Sequence, residues 1–136
     1  MSNKTITKDI PVKDHIPMKI KDLLPEIFFD ESLITSEIEL FQNNHLRAIL
    51  KFHDGRFRAL VDHYCLEVNP KFNELSTQSK KNFYATLLQK NQAFRQLCIG
   101  MVIGFLEEEP FKRYLALSAE INPRIIQMLG KRIADV

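Results

Sequence analysis

Four histidines, two cysteines and a run of three glutamates are the side chains with which this 136-residue chain could do acid–base, nucleophilic or metal chemistry. Two metal ligands on one helix need i,i+4 or a comparable same-face spacing. His53 and His63 are ten residues apart, about 80° out of alignment on a helix. His15 and His45 have no such partner, and neither HExxH nor CxxC occurs. Cys65 and Cys98 both sit inside apolar helical patterns and read as reduced core thiols. A nucleophilic cysteine needs an adjacent base or cation. His63 lies two residues from Cys65, and residues two apart on a helix face different ways. Glu107, Glu108 and Glu109 stand before Pro110, where a helix N-terminus favours acids. His53 falls on an apolar face and reads as a satisfied core histidine. If a pocket forms between helices, His53, Tyr64 and Glu107 are the candidates to line it.

A second set is cationic and aromatic: Arg47, Lys51, Arg95, Arg113, Tyr114 and Arg124. Such residues suit an acidic protein, a nucleic acid or a small anion. The net charge of +2 is too small to argue for nucleic acid by itself. No glycine-rich phosphate loop is present, and nothing calls for a cofactor.

The elements that must position these residues are helical. With 45% hydrophobic and 26% charged residues, few glycines and no tryptophan, the chain reads as one ordinary globular domain of the all-α class. The expected architecture is a compact bundle of five or six helices over residues 31–136, preceded by an extended arm, 1–30. That arm carries Pro11, Pro17 and Pro25, several lysines, and room for a turn or two of helix near its end. Residues 32–43 read as a short helix with Ser36 and Glu39 in capping-box spacing, broken at Asn43 and Asn44. A long helix follows over about 45–66, and the rest of the bundle is expected to organise around it. Leu46, Ile49, Leu50, Phe57, Leu60, Val61 and Tyr64 form its main apolar face. Ala48, Phe52, Gly55, Ala59 and Leu66 form a second, smaller face. Asp54 and Arg58, and Arg58 and Asp62, are spaced to pair. Arg47 and Lys51 are left unpaired, and Arg47 opposes the dipole of the first turn. The 107–109 acids are the nearest candidates to close a bridge onto Arg47.

Asn69-Pro70 opens a short turn, and Ser76 caps the next helix. A break near Asn91 is favoured over one continuous helix. Residues 97–106 are apolar nearly all round and read as the most buried stretch, with Gly100 and Gly104 as a strip for close approach of another helix. Asn122-Pro123 repeats a cap-plus-proline signal and starts a last helix with Ile125, Ile126, Leu129 and Ile133 inward. The longest run without a polar side chain, 97–106, is about half a membrane span. No signal segment is visible, so the expected location is the cytoplasm.

Three stretches carry a family resemblance: HLRAILKFHD, NQAFRQLCIGMVIG and YLALSAEINPRIIQMLGKRI. They resemble a small uncharacterised bacterial family that pairs an LRxILK helix with an FRxxxxGMxIG helix, and the match spans about 41–133. Some members carry the label glyoxalase. That label implies a metal-dependent lyase of paired β-α-β-β-β modules with His and Glu ligands. This chain shows no strand array, no repeated module and no such ligand set, so neither bound zinc nor glyoxalase activity is expected. The resemblance supplies no catalytic residue. It coincides with Arg47, Arg95, Gly100, Gly104 and Arg124.

Two functions therefore stand as expectations. The first is a non-enzymatic interaction or regulatory module that meets an acidic partner through its basic-aromatic edge. The alternative is a small enzyme or ligand-binding protein with a pocket between helices 46–64 and 94–106. A homo-oligomer fits either.

Overall fold

The computed structural model describes residues 19–31 and 36–134, and these form an all-α bundle. Strands are absent among the described residues, so the paired β-α-β-β-β architecture implied by the glyoxalase label is not the fold found here. The helices are α1 (Ile20–Leu23), α2 (Glu37–Phe41), α3 (Arg47–Phe52), α4 (Asp54–Val68), α5 (Thr77–Lys90), α6 (Gln92–Ile103) and α7 (Glu108–Ala134). A π-helical turn, Gln42–Leu46, joins α2 to α3, and a 3-10 turn, Phe72–Glu74, precedes α5. The expected arm before residue 19, and the start of the expected 32–43 helix, lie outside the described residues.

Local sequence signals explain most of the boundaries. The Ser36 hydroxyl accepts from the Glu39 amide at 3.0 Å, and the Ser76 hydroxyl from the Ser79 amide at 3.1 Å. Each satisfies one of the amides a helix start leaves unpaired. Asn91 does two jobs. Its amide donates to the Leu87 carbonyl at 3.1 Å, ending α5, and its side chain accepts from the Phe94 amide at 2.9 Å, opening α6. The chain breaks there.

The core is built from Phe41, Leu46, Ile49, Leu50, Phe57, Val61, Phe72, Phe94, Cys98, Val102, Ile121, Ile125 and Leu129, all at most 2% exposed. Helix α7 packs on α5, α6 and the π-helical turn, while α4 packs on α3, α5 and the 3-10 turn.

Several expectations are corrected. Asn43 and Asn44 do not break the chain: helix continues from α2 through the π-helical turn into α3. It carries on into α4 past a bend at His53 (φ −88°, ψ 3°), with His53 N–H bonded to the Ile49 carbonyl at 3.0 Å and Phe57 N–H to the His53 carbonyl at 2.9 Å. The second apolar face of that helix is half open, because Gly55 and Ala59 are exposed. Their side chains offer too little area to hold a neighbour.

Asn122-Pro123 does not start a helix either; Pro123 lies inside α7. The one bond it forfeits is to the carbonyl of Ala119, an exposed residue. The buried run Ile121, Ile125, Ile126, Leu129 and Ile133 offsets that loss by continuing across it. Asn122 instead accepts from the Tyr114 hydroxyl at 2.7 Å.

Gly100 and Gly104 are exposed, and among the described residues no other helix comes within 4 Å of a Cβ built at either. A Cβ at Gly100 would meet nothing within 4 Å, and one at Gly104 only carbonyls of its own helix, the nearer at 3.0 Å. Leu97, at 44% exposed, shares this open side, so 97–106 is not buried all round. The tighter approach falls at Gly130 of α7, whose added Cβ would lie 3.4 Å from Leu88 Cδ1 of α5. Gly100→Ala is therefore expected to stabilise the protein by about 0.5–1 kcal/mol, through the lower entropy of the unfolded chain and better helix propensity. Chemical denaturation measures it, and a loss of stability would restore the close-contact reading.

Candidate functional site

An open groove of about 610 Å³ runs between the end of α4 and the second half of α5. Helix α4 contributes Tyr64, Cys65 and Val68; α5 contributes Asn82, Phe83, Thr86, Leu87 and Lys90; Asn91 and Gln92 close one end. Phe94, fixed by the Asn91 cap, places its ring 5.2 Å from that of Tyr64 and backs the wall from inside. Val68 is 70% exposed at the rim. Among the described residues that line it, Lys90 is the only charged one. Cys65 lies on the groove, yet burial and then the nearby Asp62 carboxylate push its thiol up to about 11. Burial alone pushes Cys98 up to about 12. Both thiols are protonated at neutral pH and are poor nucleophiles.

The expected pocket residues do not converge. Tyr64 lines the groove, whereas His53 and Glu107 do not. The space expected between helices 46–64 and 94–106 is filled by rings: His53 lies 4.6 Å from Phe105, 5.3 Å from Phe52 and 5.5 Å from Phe57, centroid to centroid. His53 is a core residue at 5% exposed, but it is not satisfied, since among the described residues neither ring nitrogen has a hydrogen-bond partner. The Met101 carbonyl faces the ring without closing a bond, and burial and then Arg56 hold the imidazole below its ordinary value.

Of the cationic-aromatic set, three arginines gather at the π-helical turn. Arg47 donates to Asn43 Oδ1 at 3.2 Å, Arg124 to Gln42 Oε1 at 2.9 Å, and Arg113 lies 3.1 Å from His45 Nε2 and over the Phe41 ring at 5.5 Å. Burial and then Arg113 hold His45 below its ordinary value, while Glu107 acts the other way. Arg95 is spent elsewhere, donating to the Leu88 carbonyl at 2.9 Å. Tyr114 is buried with its hydroxyl committed to Asn122. Lys51 stays exposed.

Neither Arg47 nor Lys51 makes an ion pair among the described residues, so the expected bridge from the 107–109 acids to Arg47 is not formed. The dipole conflict that motivated it is also absent, because the helix begins at Glu37, ten residues before Arg47. Arg58 pairs with Asp54 at 2.9 Å, and among the described residues it makes no ion pair with Asp62. Arg132 adds a second contact to Asp54 at 3.4 Å, and its carbonyl accepts from Arg58 at 3.0 Å. The Arg58 hydrogen bond, first, and then Arg132 hold the Asp54 carboxyl below its ordinary range. This ties the start of α4 to the end of α7.

Residues 1–18, with His15, lie outside the described part. Among the described residues no three His, Cys, Asp or Glu side chains gather to hold a metal, and no helix is long and apolar enough to cross a membrane. Sequence reasoning missed Val68, Phe83 and Lys90 as a group. Val68 lies past the end of the expected 45–66 helix, and Phe83 and Lys90 meet it only across two helices. Comparison with family models, curated proteins and solved structures finds no match to this chain.

Proposed function

We propose that this protein is a non-enzymatic interaction module whose α4/α5 groove docks an apolar segment with acidic flanks from a partner protein. The observation that carries the reading is the groove itself: an open apolar trough whose single charged lining residue is a cation, Lys90. Apolar contact supplies affinity and the charge fixes orientation. The acidic partner expected from the sequence is kept, but the docking surface moves from the basic-aromatic edge to the groove. Arg47, Arg95, Arg113 and Arg124 are already hydrogen-bonded within the chain. The protonated Cys65 thiol favours binding over covalent chemistry at this surface.

Selection from a random peptide display library tests the proposal. Sequences combining an aromatic or aliphatic anchor with acids are expected to enrich. Lys90→Glu is expected to weaken the winners by about tenfold, roughly the 1.4 kcal/mol of one favourable charge contact. If no consensus emerges, or if the winners bind Lys90→Glu unchanged, the proposal fails.

A further inference from the structure

We infer that the groove takes residues 25–31 of a second copy of this chain, an inference that rests on the docking role proposed above. Those residues, PEIFFDE, follow α1 and lie outside any helix through residue 30. Pro25 offers no amide and holds Leu24 in the extended region (φ −92°, ψ 146°), so the segment starts out extended, with Ile27 and Phe29 half-buried and Phe28 turned to the open side. Leu24 packs against the core and anchors its base. Phe28 is 84% exposed, the highest value among the exposed large apolar side chains. Glu26 and Glu31 flank it, both exposed.

An extended apolar residue between acids is the complement of an apolar trough with one lysine. Phe28 matches the floor formed by Tyr64, Phe83 and Leu87, and the acids match Lys90. The two features coexist on one molecule without meeting: no residue of 25–31 lines the groove. The chain therefore displays a ligand and a receptor at once, the condition for heterologous self-docking. A segment this short gives an interface at the small end of specific contacts, so the association is weak and concentration-dependent.

Sedimentation velocity on the full chain tests this, from about micromolar to about millimolar protein. The weight-average mass is expected to rise above 15.9 kDa with concentration. Phe28→Ser removes the ligand and Val68→Asp spoils the receptor, and both positions are exposed enough to leave the fold intact. Each variant alone is expected to lose self-association by at least about tenfold, the scale of one apolar anchor. Mixed together they are expected to associate again, because Val68→Asp still carries an intact segment and Phe28→Ser an intact groove. A mass constant across the range, association persisting in Phe28→Ser, or a mixture that stays monomeric would each overturn the inference. A protein that selects acidic-aromatic peptides yet never self-associates would keep the docking module and discard the second copy as its partner.

Discussion

His53→Leu is expected to raise stability by about 1–3 kcal/mol at neutral pH, the penalty of a buried polar group left unbonded. The wild-type ring sits 5% exposed among Phe52, Phe57 and Phe105 with both nitrogens unpartnered. Leucine presents nothing to desolvate and is close enough in size to fill the site. The sign of the pH dependence follows from the same burial. The folded-state value is depressed, so the unfolded chain binds more protons below its ordinary value of 6.5. Stability is then fully present above about 6.5 and falls as pH drops toward the depressed folded value. His45, also depressed, adds to the loss in the same direction. Urea denaturation at pH 7.5 and 5.5 checks both parts. The wild type should weaken on acidification, and His53→Leu should start higher and weaken less. A variant less stable than the wild type at both pH values would show that the ring is bonded after all.

Phe94→Ala should have the opposite sign and the larger size, a loss of about 3–5 kcal/mol. The residue is 0% exposed, its ring meets Tyr64, and its amide is the one that Asn91 caps. Truncation leaves a cavity where α4 and α6 meet, directly behind the groove. Against a total of about 5–15 kcal/mol for a domain, that is a large share of the stability. Thermal melting followed by circular dichroism reads it. A melting temperature within a degree or two of wild type would mean that the wall collapses to fill the void.

How far the sequence reached follows a physical line. Signals carried by a few neighbouring residues were legible: Ser36, Ser76 and Asn91 cap helices as their types and spacings suggest. The main apolar stripe was legible too, with Leu46, Ile49, Leu50, Phe57 and Val61 in the core. Where a local signal competed with burial, burial won. Asn122-Pro123 reads as a helix start, yet an apolar face running past it holds α7 in one piece. Gly100 and Gly104 read as a packing strip, but the absence of a side chain fits open solvent equally well, and only the neighbours decide. The cations misled for a related reason. Arg95, Arg113 and Arg124 reach partners 7, 68 and 82 residues away in the chain, a pairing that periodicity does not encode. The groove was hidden likewise, since it exists only once α4 and α5 are laid side by side.

The π-helical turn carries a consequence for what changes this chain tolerates. Phe41 and Leu46 are each 1% exposed although five residues separate them. On an α-helix, residues five apart point about 140° away from one another. The i→i+5 closure of a π turn brings them nearly into line. The turn thus works as a phase shifter, with one residue surplus to the α-helical count. Upstream Phe41 and downstream Ile49, Leu50, Phe57 and Val61 share the core because the π closure absorbs that surplus. Deleting one residue between 42 and 46 therefore returns the turn to the α-helical count and keeps the shared face. Inserting one more turns every later side chain by about 100° and swings the apolar stripe off the core.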